Sequence, residues 1–307
     1  MKSKTILKYA SFILGLSTNL NASVNLLLDE SKFTRGKTEV SCGSLAWISN
    51  KATENTPIVF LHGNSACKEV FVKQLVDSDL NKYPLISVDL PGHGESSDAK
   101  DPVATYSFEG YAAAIQELLE KKNLKNAIIC GWSLGGHIAL SLASQSPQSV
   151  QGLFLTGTPP IEHSMEGMMS GFKPFEGAHM MSQESQFTKE EAMRFTNMGG
   201  IDSNEAEFMI TAGQRTHGLA RKNMIGAALC GSGINEKSFI TATKIPVAFV
   251  QGAQDNGING DYINALPIQN KVAFHTVTAG HATFWEADKI FNTHLADFVK
   301  GIEAGKK

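Results

Sequence analysis

Residues 131–135 read GWSLG and place a serine between two glycines. The apolar run AIIC at 127–130 precedes this motif, and HIALSLA at 137–143 follows it with the apolar spacing of a helix. Glycines let the chain turn sharply from a strand into a helix, and the serine hydroxyl then stands clear of the sheet. Ser133 is therefore a candidate nucleophile. The main-chain N–H of Leu134, at the start of the helix, is a candidate donor to an oxyanion.

A serine hydroxyl is a poor nucleophile unless a base takes its proton and an acid orients that base. His281 follows the last predicted strand in the segment AGHA, and Asp255 follows the predicted strand 245–250. Both lie beyond Ser133 in the chain, in the order nucleophile, acid, base. Asp261 is the rival acid, because the loop after Asp255 is long.

Other histidines are less well placed to act as the base. His62 lies in the loop of the expected oxyanion donor and His93 in the PGHGES loop, while His275 lies in the last strand and His294 in the last helix. His137 lies one helical turn after Ser133, where packing or support of the site is the expected role.

A second oxyanion donor is expected after the strand at 57–61. The segment there reads HGN, and Gly63 allows a sharp turn that points the main-chain N–H of Asn64 toward a substrate oxygen. Asn64 and Leu134 would thus contribute backbone donors.

The elements that must hold these residues alternate between buried strands and amphipathic helices. Strands are predicted at 57–61, 85–89, 127–130, 153–155, 245–250 and 272–277, helices at 70–80, 106–122 and 284–300, and an antiparallel hairpin at 38–49. Continuous apolar strands separated by helices predict an α/β fold, with a mostly parallel central sheet and helices on both faces.

This alternation is interrupted between residues 159 and 243. We predict a helical lid here, with helices at 189–198, 204–216 and 220–229, inserted into a core formed by 23–158 and 244–307. Nine of the ten methionines fall between Met165 and Met224. Flexible methionines predict either a pliable apolar wall over a substrate pocket or loose packing of a small helical subdomain.

Composition excludes several other classes. The chain has 307 residues and a net charge of −3, with no basic run, so a nucleic-acid partner is not expected. The four cysteines are far apart and lack the spacing of a metal site, which predicts free, buried or half-buried thiols and neither metal nor cofactor.

The N-terminus has a basic start, MKSKTILK, followed by a short apolar stretch. Residues 1–22 resemble a cleaved secretory signal peptide, which would place the mature protein in the periplasm or outside the cell. The alternative is an N-terminal extension on a cytoplasmic protein. No later stretch reaches the roughly 20 apolar residues of a membrane span.

The motifs LHGN, DLPGHGESS, GWSLGGHIAL and AGHATF, in this order, resemble those of the α/β-hydrolase fold superfamily. LHGNS, DLPGHGESSDAKDP, YSFEGYA, GWSLGGHI and GTPP together resemble the metal-independent N-acyl-homoserine lactonases, which quench quorum sensing. The lid sequence and the N-terminal segment depart from that family, and Asp255 stands where the family has a glutamate acid.

The resemblance implies a metal-independent serine hydrolase with Ser133, Asp255 and His281 as its triad. It also implies an ester or lactone substrate with an apolar acyl chain, and Trp132 beside that substrate. A general carboxylesterase with the same triad is the alternative, and a non-catalytic hydrolase-like receptor is a further one.

Overall fold

The computed structural model of the chain describes residue 24 and residues 27–305. The signal segment predicted for residues 1–22 lies outside this described part. Within it, no helix is both long enough and apolar enough to cross a bilayer.

Eight strands form one sheet. They are β1 (Phe33–Val40), β2 (Gly43–Asn50), β3 (Ile58–Leu61), β4 (Leu85–Val88), β5 (Ala127–Trp132), β6 (Val150–Thr156), β7 (Val247–Gly252) and β8 (Lys271–Val277). Their spatial order is β1-β2-β4-β3-β5-β6-β7-β8. β2 runs antiparallel to both β1 and β4, and every other neighbouring pair is parallel. The predicted hairpin is present as β1 and β2, and it begins earlier than expected, at Phe33.

Twelve α-helices lie in residues 27–305. They are α1 (Val72–Leu75), α2 (Pro102–Thr105), α3 (Phe108–Lys121), α4 (Leu134–Gln145), α5 (Met165–Gly171), α6 (Lys189–Met198), α7 (Glu207–Arg215), α8 (Gly218–Leu229), α9 (Glu236–Ala242), α10 (Gly260–Ala265), α11 (Thr283–Glu286) and α12 (Asp288–Ala304). Three 3₁₀ turns accompany them at Lys68–Phe71, Pro147–Ser149 and Ala178–Ser182.

Two predicted helices are wrong in extent. The helix expected at 70–80 is a 3₁₀ turn that runs into α1 and ends at Leu75, because Asp77 Oδ1 accepts hydrogen bonds from the N–H groups of Asp79 and Leu80 and so forms a turn. The closing helix is divided into α11 and α12 at Ala287, where the backbone leaves the helical region with φ −124° and ψ 43°.

The core lies on both faces of the sheet, as the continuous apolar strands predict. Side chains at alternate positions of the central strands point to opposite faces, so Val59 packs with α3 and α4 while Phe60 packs with α1, α11 and α12. Cys67 and Cys130 are buried free thiols and Cys42 is half-buried, whereas Cys230 is exposed, contrary to expectation.

The segment between β6 and β7 is helical. It contains α6 at the predicted residues and α7 and α8 close to them, and it adds α5 and α9, which the apolar spacing did not indicate. The segment covers the carboxyl ends of β5 and β7, since its residues line one cavity with Trp132 of β5 and with Asp255, which follows β7. Whether it is a separate lid stays a prediction.

Candidate active site

Ser133 occupies the turn between β5 and α4. Its backbone is strained, with φ 52° and ψ −116°, which few residues other than glycine adopt. Gly135 permits the turn, because a Cβ on that residue would come within 2.0 Å of the Leu61 carbonyl oxygen. The expected sharp turn from strand to helix is therefore present.

The end of β6 holds this turn in place. The Ser133 N–H donates to the carbonyl of Thr156 at 3.0 Å, and the Thr158 hydroxyl donates to the carbonyl of Ser133 at 3.0 Å. Thr158 belongs to the GTPP motif, so this motif supports the candidate nucleophile directly.

Asp255 and His281 come together beyond the ends of β7 and β8. Nδ1 of His281 donates to Oδ2 of Asp255 at 2.8 Å. An ionised carboxylate can only accept, so the proton lies on Nδ1 and Nε2 is left free to take a proton. The rival carboxylate, Asp261, is exposed in the first turn of α10 and does not pair with His281.

The environment of Asp255 favours its charged form. Burial raises the pKa of Asp255, but the imidazole of His281 and the N–H groups of Gly257 and Ile258 outweigh burial, and the pKa lies below its usual value. Those two N–H groups donate to Oδ1 at 2.9 and 3.1 Å. Asp255 can therefore stabilise a positive charge that forms on His281.

Trp132 ties the nucleophile turn to the histidine loop. Its indole N–H donates to the carbonyl of His281 at 3.1 Å, and the two ring centres are 5.7 Å apart. Ser133 and His281 line the same cavity, although no hydrogen bond between Ser133 Oγ and the imidazole appears in residues 27–305. Such contacts commonly tighten only when substrate is bound.

Asn64 and Leu134, which are predicted to supply oxyanion donors, both lie close to Ser133, and this role stays a prediction. The main-chain N–H groups of Asn64 and Leu134 donate to no acceptor in the described part of the chain. Asn64 lines the cavity beside Ser133, and Leu134 is the first residue of α4, where the helix dipole adds partial positive charge. Both groups are thus available to an oxygen that gains negative charge at Ser133.

The other histidines have structural partners. His62 is buried, its Nε2 accepts from the Leu90 N–H at 3.1 Å, and burial lowers its pKa to about 4. His93 is buried beside it, with 5.2 Å between ring centres. His275 and His294 stack on each other, 3.6 Å apart, between β8 and α12.

The cavity has a volume of about 770 Å³. Its apolar wall consists of one tryptophan, three phenylalanines, three methionines and one isoleucine: Trp132, Phe172, Phe175, Phe195, Met181, Met198, Met209 and Ile258. Only three of the nine clustered methionines reach the cavity, while Met180 and Met224 are buried in packing and Met165 and Met169 are exposed. Three methionines thus line the cavity, while the pliability of this wall and loose packing of the helical segment stay predictions.

Sequence reasoning missed two carboxylates near the site. Glu286 lines the cavity and accepts from the N–H of Gly280, next to His281, at 3.0 Å. His137 pairs with Glu236 of α9, which is fully buried, with 2.9 Å between Nδ1 and each carboxylate oxygen. The position of His137 one turn after Ser133 was a signal, but no sequence signal marks Glu236.

No group of three or more His, Cys, Asp or Glu side chains in residues 27–305 is arranged to hold a metal ion.

The strained serine turn, the paired histidine and carboxylate, and the free backbone donors on a mostly parallel sheet define an α/β hydrolase. Residues 56–288 match the family model of the alpha/beta hydrolase fold, and the chain belongs to this family. The structure superposes with a TM-score of 0.82 on a mutant of the N-acyl homoserine lactonase AidH complexed with N-hexanoyl homoserine. The two chains are 32% identical, and the match covers 88% of this chain and 97% of the other.

Curated relatives match over shorter stretches. The 2-succinyl-6-hydroxy-2,4-cyclohexadiene-1-carboxylate synthase of Klebsiella pneumoniae subsp. pneumoniae is 35% identical over 103 residues, which are 34% of this chain and 38% of that protein. The pimeloyl-[acyl-carrier protein] methyl ester esterase of Nitrosomonas europaea is 37% identical over 117 residues, 38% and 43% of the two chains. The chain therefore spans less than half the length of these relatives.

Proposed function

We propose that this chain is a serine hydrolase that opens the lactone ring of N-acyl-homoserine lactones. The observation that carries the proposal is the constellation at one cavity: a strained Ser133, a His281–Asp255 pair and two unpaired backbone N–H groups. The likeness to AidH over most of both chains supports the lactone as the substrate.

In the first half of the proposed reaction, His281 Nε2 takes the proton of Ser133 while Oγ attacks the lactone carbonyl carbon. The carbonyl oxygen becomes an oxyanion that accepts hydrogen bonds from the N–H groups of Asn64 and Leu134. The ring C–O bond then breaks, and His281 returns its proton to the leaving alkoxide. The result is an acyl-enzyme whose new hydroxyl remains attached to the acyl group.

In the second half, His281 takes a proton from water, and the resulting hydroxide attacks the acyl-enzyme carbonyl. The same two N–H groups bind the second oxyanion. The bond to Ser133 Oγ breaks, Oγ regains a proton from His281, and the open N-acyl-homoserine leaves as the carboxylic acid, which releases its proton to water. Asp255 stabilises the imidazolium in both halves through its bond to Nδ1.

The cavity supports an acyl chain as the bound part of the substrate. Its volume of about 770 Å³ is in the range of small-molecule sites. Phe172, Phe195 and Met181, all from the helical segment, lie on its wall with Trp132. These side chains offer an apolar surface next to the reacting serine.

A general carboxylesterase acting on short or medium acyl esters is the second candidate. The similarity to a methyl ester esterase over 117 residues favours it, since the same site could cleave an acyclic ester. The two candidates differ in the substrate and share the mechanism.

A substrate panel tests the proposal. N-hexanoyl homoserine lactone and 4-nitrophenyl butyrate are offered separately to the full chain. Mass spectrometry measures ring opening as the addition of one water to the lactone. A kcat/KM higher for the lactone is expected. A clear preference for the nitrophenyl ester supports the carboxylesterase, and no turnover of either contradicts both candidates. Ser133→Ala serves as the blank for uncatalysed lactone opening.

A further inference from the structure

Ser65 follows the candidate oxyanion donor Asn64 and has an unusual backbone. Its φ is 58°, in the left-handed region, and its side chain is buried. Its hydroxyl donates to Oδ1 of Asn64 at 3.0 Å. The backbone of Ser65 is therefore strained, and the hydrogen bond of its hydroxyl helps to hold the oxyanion loop in this conformation.

Arg221 of α8 is fully buried, which is rare for an arginine. Its guanidinium donates to the carbonyls of Gln183 and Ser185 at 2.8 Å each and of Thr216 at 3.4 Å. It also lies 4.0 Å from the ring centre of Phe187. In the part of the chain that the structure describes, no carboxylate forms an ion pair with Arg221; its close partners are backbone carbonyls and a ring, and Glu191 adds a longer-range attraction.

The fourth hydrogen-bond partner of Arg221 is Ser65. Nη1 donates to the Ser65 hydroxyl at 3.3 Å, and this hydroxyl donates onward to Asn64. The other end of the Asn64 amide is held from the same helical segment, because Nδ2 donates to the carbonyl of Met181 at 3.0 Å. The segment between β6 and β7 thus fixes both polar atoms of the Asn64 side chain. Oδ1 is held through Ser65 and Arg221, and Nδ2 is held by Met181.

We propose that Arg221 is a positioning residue for the oxyanion hole: through Ser65 it holds the Asn64 main-chain N–H in the place where it meets the oxyanion. The inference rests on the serine-hydrolase mechanism proposed above. It adds that stabilisation of the transition state depends on how the segment between β6 and β7 packs on the core. Binding of an acyl chain against Met181 then acts on the same loop that stabilises the oxyanion.

This arrangement predicts a specific kinetic signature. A misplaced oxyanion donor weakens the transition state and leaves binding of the ground-state substrate nearly unchanged. Loss of the whole donor typically costs about 100- to 1,000-fold in kcat, and misplacement costs less. A purely structural role for Arg221 would instead lower stability or the amount of folded protein, without a selective fall in kcat.

The test uses Ser65→Ala and Arg221→Gln in the full chain, with 4-nitrophenyl butyrate as substrate. The matched control for the first is Ser203→Ala, since the buried Ser203 hydroxyl has no hydrogen-bond partner among the described residues. The control for the second is Arg215→Gln, because Arg215 also joins the helical segment to the core but binds Asp98 and the Ser96 carbonyl instead of the oxyanion loop.

Ser65→Ala and Arg221→Gln should each lower kcat by about 10- to 100-fold with KM within about twofold, while both controls stay within about twofold. Inhibition by butylboronic acid, which bonds to Ser133 and places an oxygen in the oxyanion hole, should weaken in parallel with kcat. The double variant should be no slower than Arg221→Gln alone, because the two residues act through one chain of bonds.

An unchanged kcat in Ser65→Ala, or a double variant whose losses multiply, would overturn this inference and leave the proposed function intact. If Arg221→Gln does not fold, Ser65→Ala and its boronate affinity decide the matter alone. A wild-type chain that hydrolyses neither the ester nor the lactone overturns the proposed function and this inference together, so the two failures are distinguishable.

Discussion

Gly157 lies directly against the imidazole of His281. A Cβ built on Gly157 would come within 2.7 Å of Cε1 and 2.9 Å of Nδ1, and the residue has a φ of 59°. Gly157 is the first residue of the GTPP motif, at the end of β6. The motif therefore leaves room for His281 at Gly157 and hydrogen-bonds the serine turn through Thr158.

We predict that Gly157→Ala lowers kcat/KM by about 100-fold, because the imidazole must move away from Ser133 to make room. Steady-state kinetics with 4-nitrophenyl butyrate measures this loss. Gly226→Ala is the matched control, since nothing lies within 4 Å of a Cβ at that position of α8. Equal activity in the two variants would show that the imidazole tolerates displacement.

Ser133→Ala should reduce turnover by several orders of magnitude, because the variant has no oxygen to form the acyl-enzyme. Mass spectrometry of wild type mixed with a slow ester should show the acyl mass on the peptide that contains Ser133, and the variant should lack it. Activity near that of the wild type in Ser133→Ala would end the proposed mechanism.

Asp255→Asn should lower kcat by about 10⁴-fold, since an amide at this position favours the wrong tautomer of His281 and cannot stabilise its positive form. Asp261→Asn is the control: that carboxylate is exposed in α10, and its loss should change kcat less than twofold. The reverse ranking of the two variants would assign the acid to the rival residue.

A buried cluster of Glu236, His137 and His163 joins α4 to the helical segment. Besides its two bonds to His137, Glu236 Oε1 lies 3.4 Å from Nε2 of His163, within ion-pair range though not aligned as a hydrogen bond. Burial raises the pKa of Glu236, but the two histidines outweigh it, and the pKa falls below its usual 4.5. Burial lowers the pKa of His163, but Glu236, with smaller contributions from the Ser232 carbonyl and Glu109, outweighs burial and raises the pKa above its usual 6.5.

These shifts predict a pH window for stability. A carboxyl with a lowered pKa stabilises the fold above pH 4.5 and loses this effect as pH falls through its folded-state pKa. A histidine with a raised pKa stabilises the fold below pH 6.5 and loses this effect as pH rises through its folded-state pKa. The cluster should therefore stabilise most between about pH 4.5 and 6.5.

Glu236→Gln should lower the free energy of unfolding by about 3 kcal/mol in that window, because it removes the charge that both histidines face. The Tm difference between wild type and variant, measured from pH 4 to pH 9, should narrow on the alkaline side of the window and again at its acid end. A difference that does not vary with pH would mean that the cluster contributes hydrogen bonds alone.

The sequence predicted the parts of the site that depend on strand ends. Ser133, Asp255 and His281 each follow a predicted strand, and parallel strands place such ends along one edge of the sheet. The fold class could be predicted for the same reason, and so could the positions of Asn64 and Leu134 near this edge of the sheet.

The supporting residues could not be found in this way. Arg221 and Ser65 are 156 positions apart, and Glu236 and His137 are 99 apart, so only the packing of the helical segment brings them together. The helix predicted at 70–80 was longer than the observed α1, because apolar spacing gives no sign of the turn that the Asp77 side chain forms.

The fluorescence of Trp132 offers a way to follow events at the site. It is one of three tryptophans, and its indole lines the cavity with its ring centre 5.7 Å from that of His281. With Trp47 and Trp285 changed to phenylalanine, the emission would come from a single fluorophore next to the nucleophile. Its intensity would change as a ligand displaces water and as the imidazole gains charge, so acylation by a colourless substrate could be followed in real time.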